Sequence, residues 1–214
     1  MAVHRDSPLF VAGTGSFALE VIEFARAAGY RVEALIEPID SSRIGGSAHG
    51  LEVISPDSRP LPGAGFVVGI GAGRAEVAER LVAYGWKPVS VVHPSSVVSP
   101  SATIGHGVVI GPLAVIGAAS AVGDHSLIGR GALVGHHTTL GRATVLNPGA
   151  NVAGLVSGGE SVTVGMGASV ANGLSIGDRA VVAAGAVVVR EVAAGSRVQG
   201  VPAKTFAGVS GSAE

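Results

Sequence analysis

Seven histidines and no cysteine are available for chemistry in this chain, and two of the histidines are neighbours. Without a thiol there is no disulfide, no thiolate metal site and no cysteine nucleophile, so proton transfer near neutral pH falls to imidazole. The pair His136-His137 stands in Leu133-Val134-Gly135-His136-His137-Thr138-Thr139-Leu140-Gly141. Adjacent side chains on an extended chain diverge, and no other ligands cluster around them, so no metal site is expected here. His4 falls in a tail and His49 in a loop, and both are expected in solvent. His93 opens a His-Pro junction and is expected to organise a turn, while His106 and His125 occupy outward-facing positions. A second feature is Gly13-Thr14-Gly15-Ser16-Phe17-Ala18, a turn that opens a helix. Free N–H groups at such a start favour phosphate. Glu37 follows about twenty residues later and would suit ribose hydroxyls or a base edge. The same combination occurs in NAD-binding folds, but this segment is too short for a full dinucleotide fold.

The elements that must position these groups change character near residue 90. In the first part, an apolar strand over 8–12 leads into the glycine turn, and a helix over 17–29 follows, with Phe17, Val21, Phe24 and Ala28 at helical spacing and Gly29 as C-cap. A strand over 31–36, a loop over 38–50, a strand over 66–70 ending in Gly71-Ala72-Gly73, a helix over 74–84 and a strand over 89–92 complete it. Strand–turn–helix units of this length predict a small parallel sheet with helices on it.

Beyond His93-Pro94 the pattern is arithmetic. Stepping by six from Val98 to Val188 meets an aliphatic residue at every position but Gly158, and Gly follows in ten of the sixteen cases. The position two before the aliphatic is usually small, as at Ser96, Ala102, Ala114, Ser120, Thr138 and Ala150. A period of six fits neither a helix nor a simple alternating strand; it fits a coil whose short strands meet at tight corners. The aliphatic then points inward, the glycine relieves the bend and the small residue sits where walls converge. With three hexads per turn, the coil would have a little over five turns and a length of roughly 25 Å.

Composition excludes several classes. Thirty-four glycines in 214 residues far exceed the usual share of about 7%, yet 47% of residues are apolar, so the chain is not disordered. The longest apolar run, 180–189, is half of what a membrane span requires. A net charge of −1 offers no basic footprint for nucleic acid. The first residues lack the apolar core of a signal peptide, which points to the cytoplasm.

The aliphatic–Gly hexads, the junction His93-Pro94-Ser95-Ser96-Val97-Val98-Ser99-Pro100, the opening Gly13-Thr14-Gly15-Ser16-Phe17 and the closing Gly200-Val201-Pro202-Ala203-Lys204 together resemble the hexapeptide-repeat sugar O-/N-acyltransferases. That family includes the UDP-4-amino-sugar N-acetyltransferases of bacillosamine synthesis and the sialic-acid O-acetyltransferases. The resemblance implies a Rossmann-like α/β domain over 1–90 that binds a nucleotide sugar, an all-β left-handed parallel β-helix over 91–208 and a tail over 209–214. It also implies acetyl-CoA as co-substrate, direct attack of an amino or hydroxyl group on the thioester, and a homotrimer with CoA in the groove between neighbouring prisms. On the matching positions, His136 is the general base, and Gly154 offers its N–H to the thioester oxygen. By the same resemblance the main chain at Met166 and Ala184 would lie along the CoA arm, and Lys204 would meet its phosphates or stand as a solvated tail lysine. Gly15, Ser16, Phe17, Glu37, Pro38 and Gly71 hold the nucleotide sugar. His137 stands where relatives carry an acid and supplies no negative charge; a second family histidine is here Val145, and an asparagine is Gly129. Two other readings follow from these departures: a binding or scaffold trimer without catalysis, and an acyltransferase acting on a free sialic-type sugar or a secondary-metabolite acceptor.

Overall fold

The fold is that of a computed structural model, which describes residues 7–206. His4 and the tail over 209–214 lie outside them. The first part is a sheet with a helix on each face. Its elements are β1 (Leu9–Ala12), α1 (Ser16–Ala27), β2 (Val32–Ile36), β3 (Ser47–Ala48), β4 (Leu51–Ile54), β5 (Gly65–Val68), α2 (Arg74–Ala83) and β6 (Lys87–Pro88). The strand order is β3-β4-β2-β1-β5-β6, parallel except for β3. Alternate residues of β1 serve opposite faces. Leu9 and Val11 pack with Ala18, Val21, Ile22 and Ala25 of α1, whereas Phe10 and Ala12 pack with Val77, Ala78 and Leu81 of α2 and with Trp86. The segment over 38–50, expected as a loop, holds a short 3-10 turn at Ser41–Arg43 and β3, which turns back on β4. Two strands of two and four residues were too short for periodicity to reveal.

From Val91–Val92 onward the chain is a parallel β-solenoid of two-residue strands. Val91–Val92, expected to close the first part, pairs instead with Val109–Ile110 as the first rung of the solenoid. Partners lie 18 residues apart, as in Val115↔Leu133 and Leu127↔Val145, so three hexads make one turn. The three walls are separate sheets. The hexad aliphatics from Ile110 to Val188, apart from Gly158, are buried in one continuous core. At the Gly158 rung, Leu140 leans across: a Cβ on Gly158 would lie 3.2 Å from its Cδ2.

The glycine that follows each aliphatic has a different reason from the one expected. It is not the bend residue. A Cβ on Gly117 would lie 2.7 Å from the His136 nitrogen, and one on Gly141 2.5 Å from the Gly159 backbone, because the next turn passes too close for any side chain. The left-handed bend falls two residues later, at Leu113, Ala119, His125, His137, Ala143, Leu155 and Ser161 among others. Small residues on the inner wall also bond between turns: Ser120 Oγ donates to Gly135 O at 2.6 Å and Thr138 Oγ1 to Ala153 O at 2.8 Å.

The two parts share a seam. Val91, Val109, Leu127 and Val145, on the outer side of one wall, join the core under α1. Glu20 pairs with Arg130, and Glu79 with Arg142 at 2.6 Å. Arg74 is buried here; its Nε donates to His125 O at 2.9 Å and its Nη1 to Ile70 O, while Nη2 has no partner. Burial pulls its guanidinium down to about 9, which leaves it charged at neutral pH. His125, expected at the surface, is buried against Phe66, with nearly parallel rings 6.3 Å apart. The outward position of a hexad faces solvent only where the first part does not cover it.

Candidate active site

His136 and His137 sit on the solenoid corner between strands Leu133–Val134 and Thr139–Leu140. The chain is not extended there. His137 has φ 55° and anchors its N–H on Ala118 O at 2.8 Å, and His136 O receives Leu155 N–H at 2.9 Å. This left-handed step brings the two side chains together where an extended chain would separate them. Their Nδ1 atoms are 3.1 Å apart, with the ring planes 83° to one another. Both rings are exposed.

The 18-residue register stacks His136, Gly154 and Asn172 on successive turns. A Cβ on Gly154 would lie 2.8 Å from His136 Nε2 and 3.1 Å from Asn172 Oδ1, so the absent side chain leaves room for the imidazole edge. The Gly154 N–H makes no hydrogen bond among the described residues, and its carbonyl accepts from Gly173 N at 3.0 Å. Asn172 escaped sequence reasoning, although the register alone would have placed it above Gly154.

Met166 and Ala184 are also stacked on successive turns, and both are exposed. They belong to another corner, in line with Arg130 and Pro148, where Gly185 N–H bonds Met166 O at 2.9 Å and Gly167 N–H bonds Pro148 O at 3.1 Å. Within one chain, then, the His136 corner and the Met166–Ala184 corner are different edges of the solenoid. Lys204 is exposed in a strand (Lys204–Thr205) that turns back on Arg197–Gln199.

At the C-terminal ends of β1, β2 and β5, Gly15, Glu37 and Pro38 gather with Thr14, Asp40, Arg43 and Ile70 around a cleft of about 240 Å³. Glu37 is buried and its carboxylate is engaged: Oε2 accepts from Thr14 Oγ1, and Oε1 from the N–H groups of Ile39 at 2.7 Å and Asp40 at 3.0 Å. Arg43 Nη1 reaches Thr14 Oγ1 at 3.0 Å. Hydrogen bonds from Ser42 hold the Asp40 carboxyl below the usual carboxylate range. His49 Nε2 lies 3.2 Å from Thr14 O and 3.0 Å from Gly15 O, so it fastens its loop over the glycine turn and is not a free solvated side chain. Phe17 faces a second pocket, between α1 and the solenoid, with Glu20, Arg130, Asn147 and Pro148. Ser16 and Gly71 line neither space. Asp40 and Arg43 escaped sequence reasoning because the turn at Ser41–Arg43 that brings them to Thr14 carries no periodic signal, and His49 reaches the glycine turn from the connection between β3 and β4.

A parallel solenoid of hexads joined to an α/β cleft is the architecture of the hexapeptide-repeat sugar acyltransferases, and the chain belongs to that family. Perosamine N-acetyltransferase from Caulobacter crescentus, solved with CoA and GDP-perosamine as a variant with one histidine changed to asparagine, is 34% identical, with a TM-score of 0.86 over 94% of this chain and 98% of that one. The acetyltransferase domain of PglB from Neisseria gonorrhoeae, solved with acetyl coenzyme A, is 31% identical, with a TM-score of 0.86 over 94% of this chain and all of that one. WeeI from Acinetobacter baumannii, at 24% identity and a TM-score of 0.82, shares the fold. No family model matches the chain, and no curated protein matches it. No helix among the described residues is long and apolar enough to cross a membrane.

Proposed function

We propose that the protein transfers an acetyl group from acetyl-CoA to the amine of a nucleotide-linked amino sugar. The nucleotide binds the cleft around Gly15, Glu37 and Pro38, in a Rossmann-like part, and Phe17 faces the sugar. Relatives solved with CoA, acetyl-CoA and GDP-perosamine support the substrate classes. The buried carboxylate of Glu37 ties its own loop to Thr14 of the glycine turn, so its part is to shape the cleft around the nucleotide.

His136 Nε2 takes a proton from the amine as the nitrogen attacks the thioester carbonyl. The oxyanion that forms receives the Gly154 N–H. The C–S bond then breaks, and the same proton passes from His136 to the departing sulfur, so the ring ends neutral. The observation behind this reading is that His136 Nε2 lies against the bare backbone of Gly154, whose N–H makes no hydrogen bond among the described residues.

The Met166–Ala184 edge, with Lys204 toward the CoA phosphates, is the donor arm of the site. Because that edge and His136 lie on different corners, the site is shared between copies, and a homotrimer of left-handed solenoids is the assembly we propose. Val97, Val115 and Leu133, exposed by 61%, 37% and 40%, form an apolar ladder on the wall that leads to His136 and suit burial against a second copy. The test is release of free CoA thiol with acetyl-CoA and GDP-perosamine or a UDP-4-amino sugar. His136→Ala is expected to lower kcat by about 10²–10⁴-fold with acetyl-CoA affinity retained; unchanged turnover removes His136 from the mechanism.

A further inference from the structure

We propose that His137 is the positioning residue of this site: its Nδ1 accepts a hydrogen bond from His136 Nδ1–H and so fixes His136 in the tautomer whose Nε2 is free to take a proton. The inference rests on His136 being the base and assigns how that base is held.

The two Nδ1 atoms are 3.1 Å apart. Two imidazole nitrogens at that distance bond only if one carries hydrogen and the other a lone pair. If His137 were the donor, neutral His136 would carry its hydrogen on Nε2, and the edge facing Gly154 would have no lone pair to offer. If His136 is the donor, Nε2 is the acceptor, and proton uptake there needs no rearrangement of the pair. The imidazolium formed keeps the same Nδ1–H bond to His137, now charge-assisted and stronger. His137 keeps its own hydrogen on Nε2, where its exposed ring meets water. No carboxylate among the described residues forms an ion pair with either ring, so the neighbouring imidazole is the acceptor that the geometry provides.

The backbone explains why an adjacent residue can do this. His137 occupies the left-handed corner position with φ 55°, and that bend turns its ring toward His136. The corner itself does not require histidine. Ala119, one turn earlier in the same column, has φ 56°, and Ala143, at the next corner, has φ 53°. An alanine at 137 therefore has precedent in this solenoid, and asparagine or aspartate is well suited to such φ values.

The test uses the full chain, labelled with ¹⁵N in histidine, together with steady-state kinetics on acetyl-CoA and GDP-perosamine. In the unaltered protein, His136 is expected as the Nδ1–H tautomer. His137→Ala should shift it toward the Nε2–H form that free imidazole side chains prefer, and lower kcat about 10- to 100-fold, with KM for both substrates within about twofold. His137→Asp restores an acceptor on a residue that tolerates the corner, and should recover the tautomer and most of the rate. A His137→Ala protein with unchanged tautomer and unchanged kcat overturns the proposal, as does a His137→Asp protein no faster than His137→Ala. Loss of the base reading is distinguishable: full activity in His136→Ala would refute that reading, while the tautomer shift, read without substrate, still reports on the His136–His137 bond.

Discussion

At the scale of single residues, the site depends on one absent side chain as much as on the side chains present. Gly154 has no left-handed φ, so alanine fits its backbone, but the new methyl would lie 2.8 Å from His136 Nε2 and 2.9 Å from Cε1. Imidazole at an exposed corner swings away cheaply, so the melting temperature of Gly154→Ala should stay within about 2 °C of the parent, an effect of at most about 1 kcal/mol. Turnover should nevertheless fall about 10- to 100-fold, because a displaced base no longer meets its proton at bonding distance. Calorimetry beside a CoA-release assay checks both halves; a large stability loss, or undiminished turnover, would mean that His136 is not seated against Gly154. His136 and Gly154 were named in the sequence through the family resemblance, and the 18-residue register sets them on successive turns. The convergence of His137 was not legible there, because an extended chain was assumed where the corner is left-handed. Nor was the role of Glu37, since a carboxylate's partners depend on a turn that carries no pattern.

At the scale of elements, hexad arithmetic gives the inside of the solenoid but not its outside. Every sixth residue points inward, whatever the surroundings, so the buried aliphatics could be read off directly. Whether an outward residue meets water depends on what the first part of the chain covers. His125 shows the difference: it lies under Phe66, with Arg74 bonded to its carbonyl. Burial is the main reason its imidazole is held below the ordinary histidine range; Arg74 and Arg142 add to the shift, and Asp124 and Glu79 oppose it. The unfolded chain then binds a proton at about pH 6.5, where the folded chain does not. Stability contributed by neutral His125 is therefore full above that pH and is lost as the pH falls toward the lower folded value. His125→Asn, which keeps a residue suited to the local φ of 59°, should flatten the fall in Tm between pH 7 and pH 5. An unchanged slope would place the acid sensitivity elsewhere.

At the scale of the whole molecule, the solenoid carries the proposed base and the proposed donor edge on corners that cannot face one another within one chain. His136, Gly154 and Asn172 run up one corner, whereas Met166 and Ala184 run up another, below which Arg130 and Pro148 meet Phe17 of the first part. The proposed cyclic assembly would resolve this, because each copy would offer its histidine corner to the donor edge of the next and the ring would close with every site filled. The consequence is complementation between two inactive proteins. His136→Ala lacks a base but keeps the Met166–Ala184 edge, and Ala184→Trp blocks that edge but keeps His136. Each alone should be inactive. Unfolded and refolded together in equal amounts, they should form sites in which an intact histidine faces an intact donor edge at about one interface in four, and so recover about a quarter of the parent activity. Mixing without refolding serves as the control that reads any exchange of copies between folded assemblies. If the refolded mixture is as inactive as its components while native mass spectrometry shows mixed assemblies, base and donor edge act within a single chain. The geometry of the two corners would then have to change by a full wall of the solenoid.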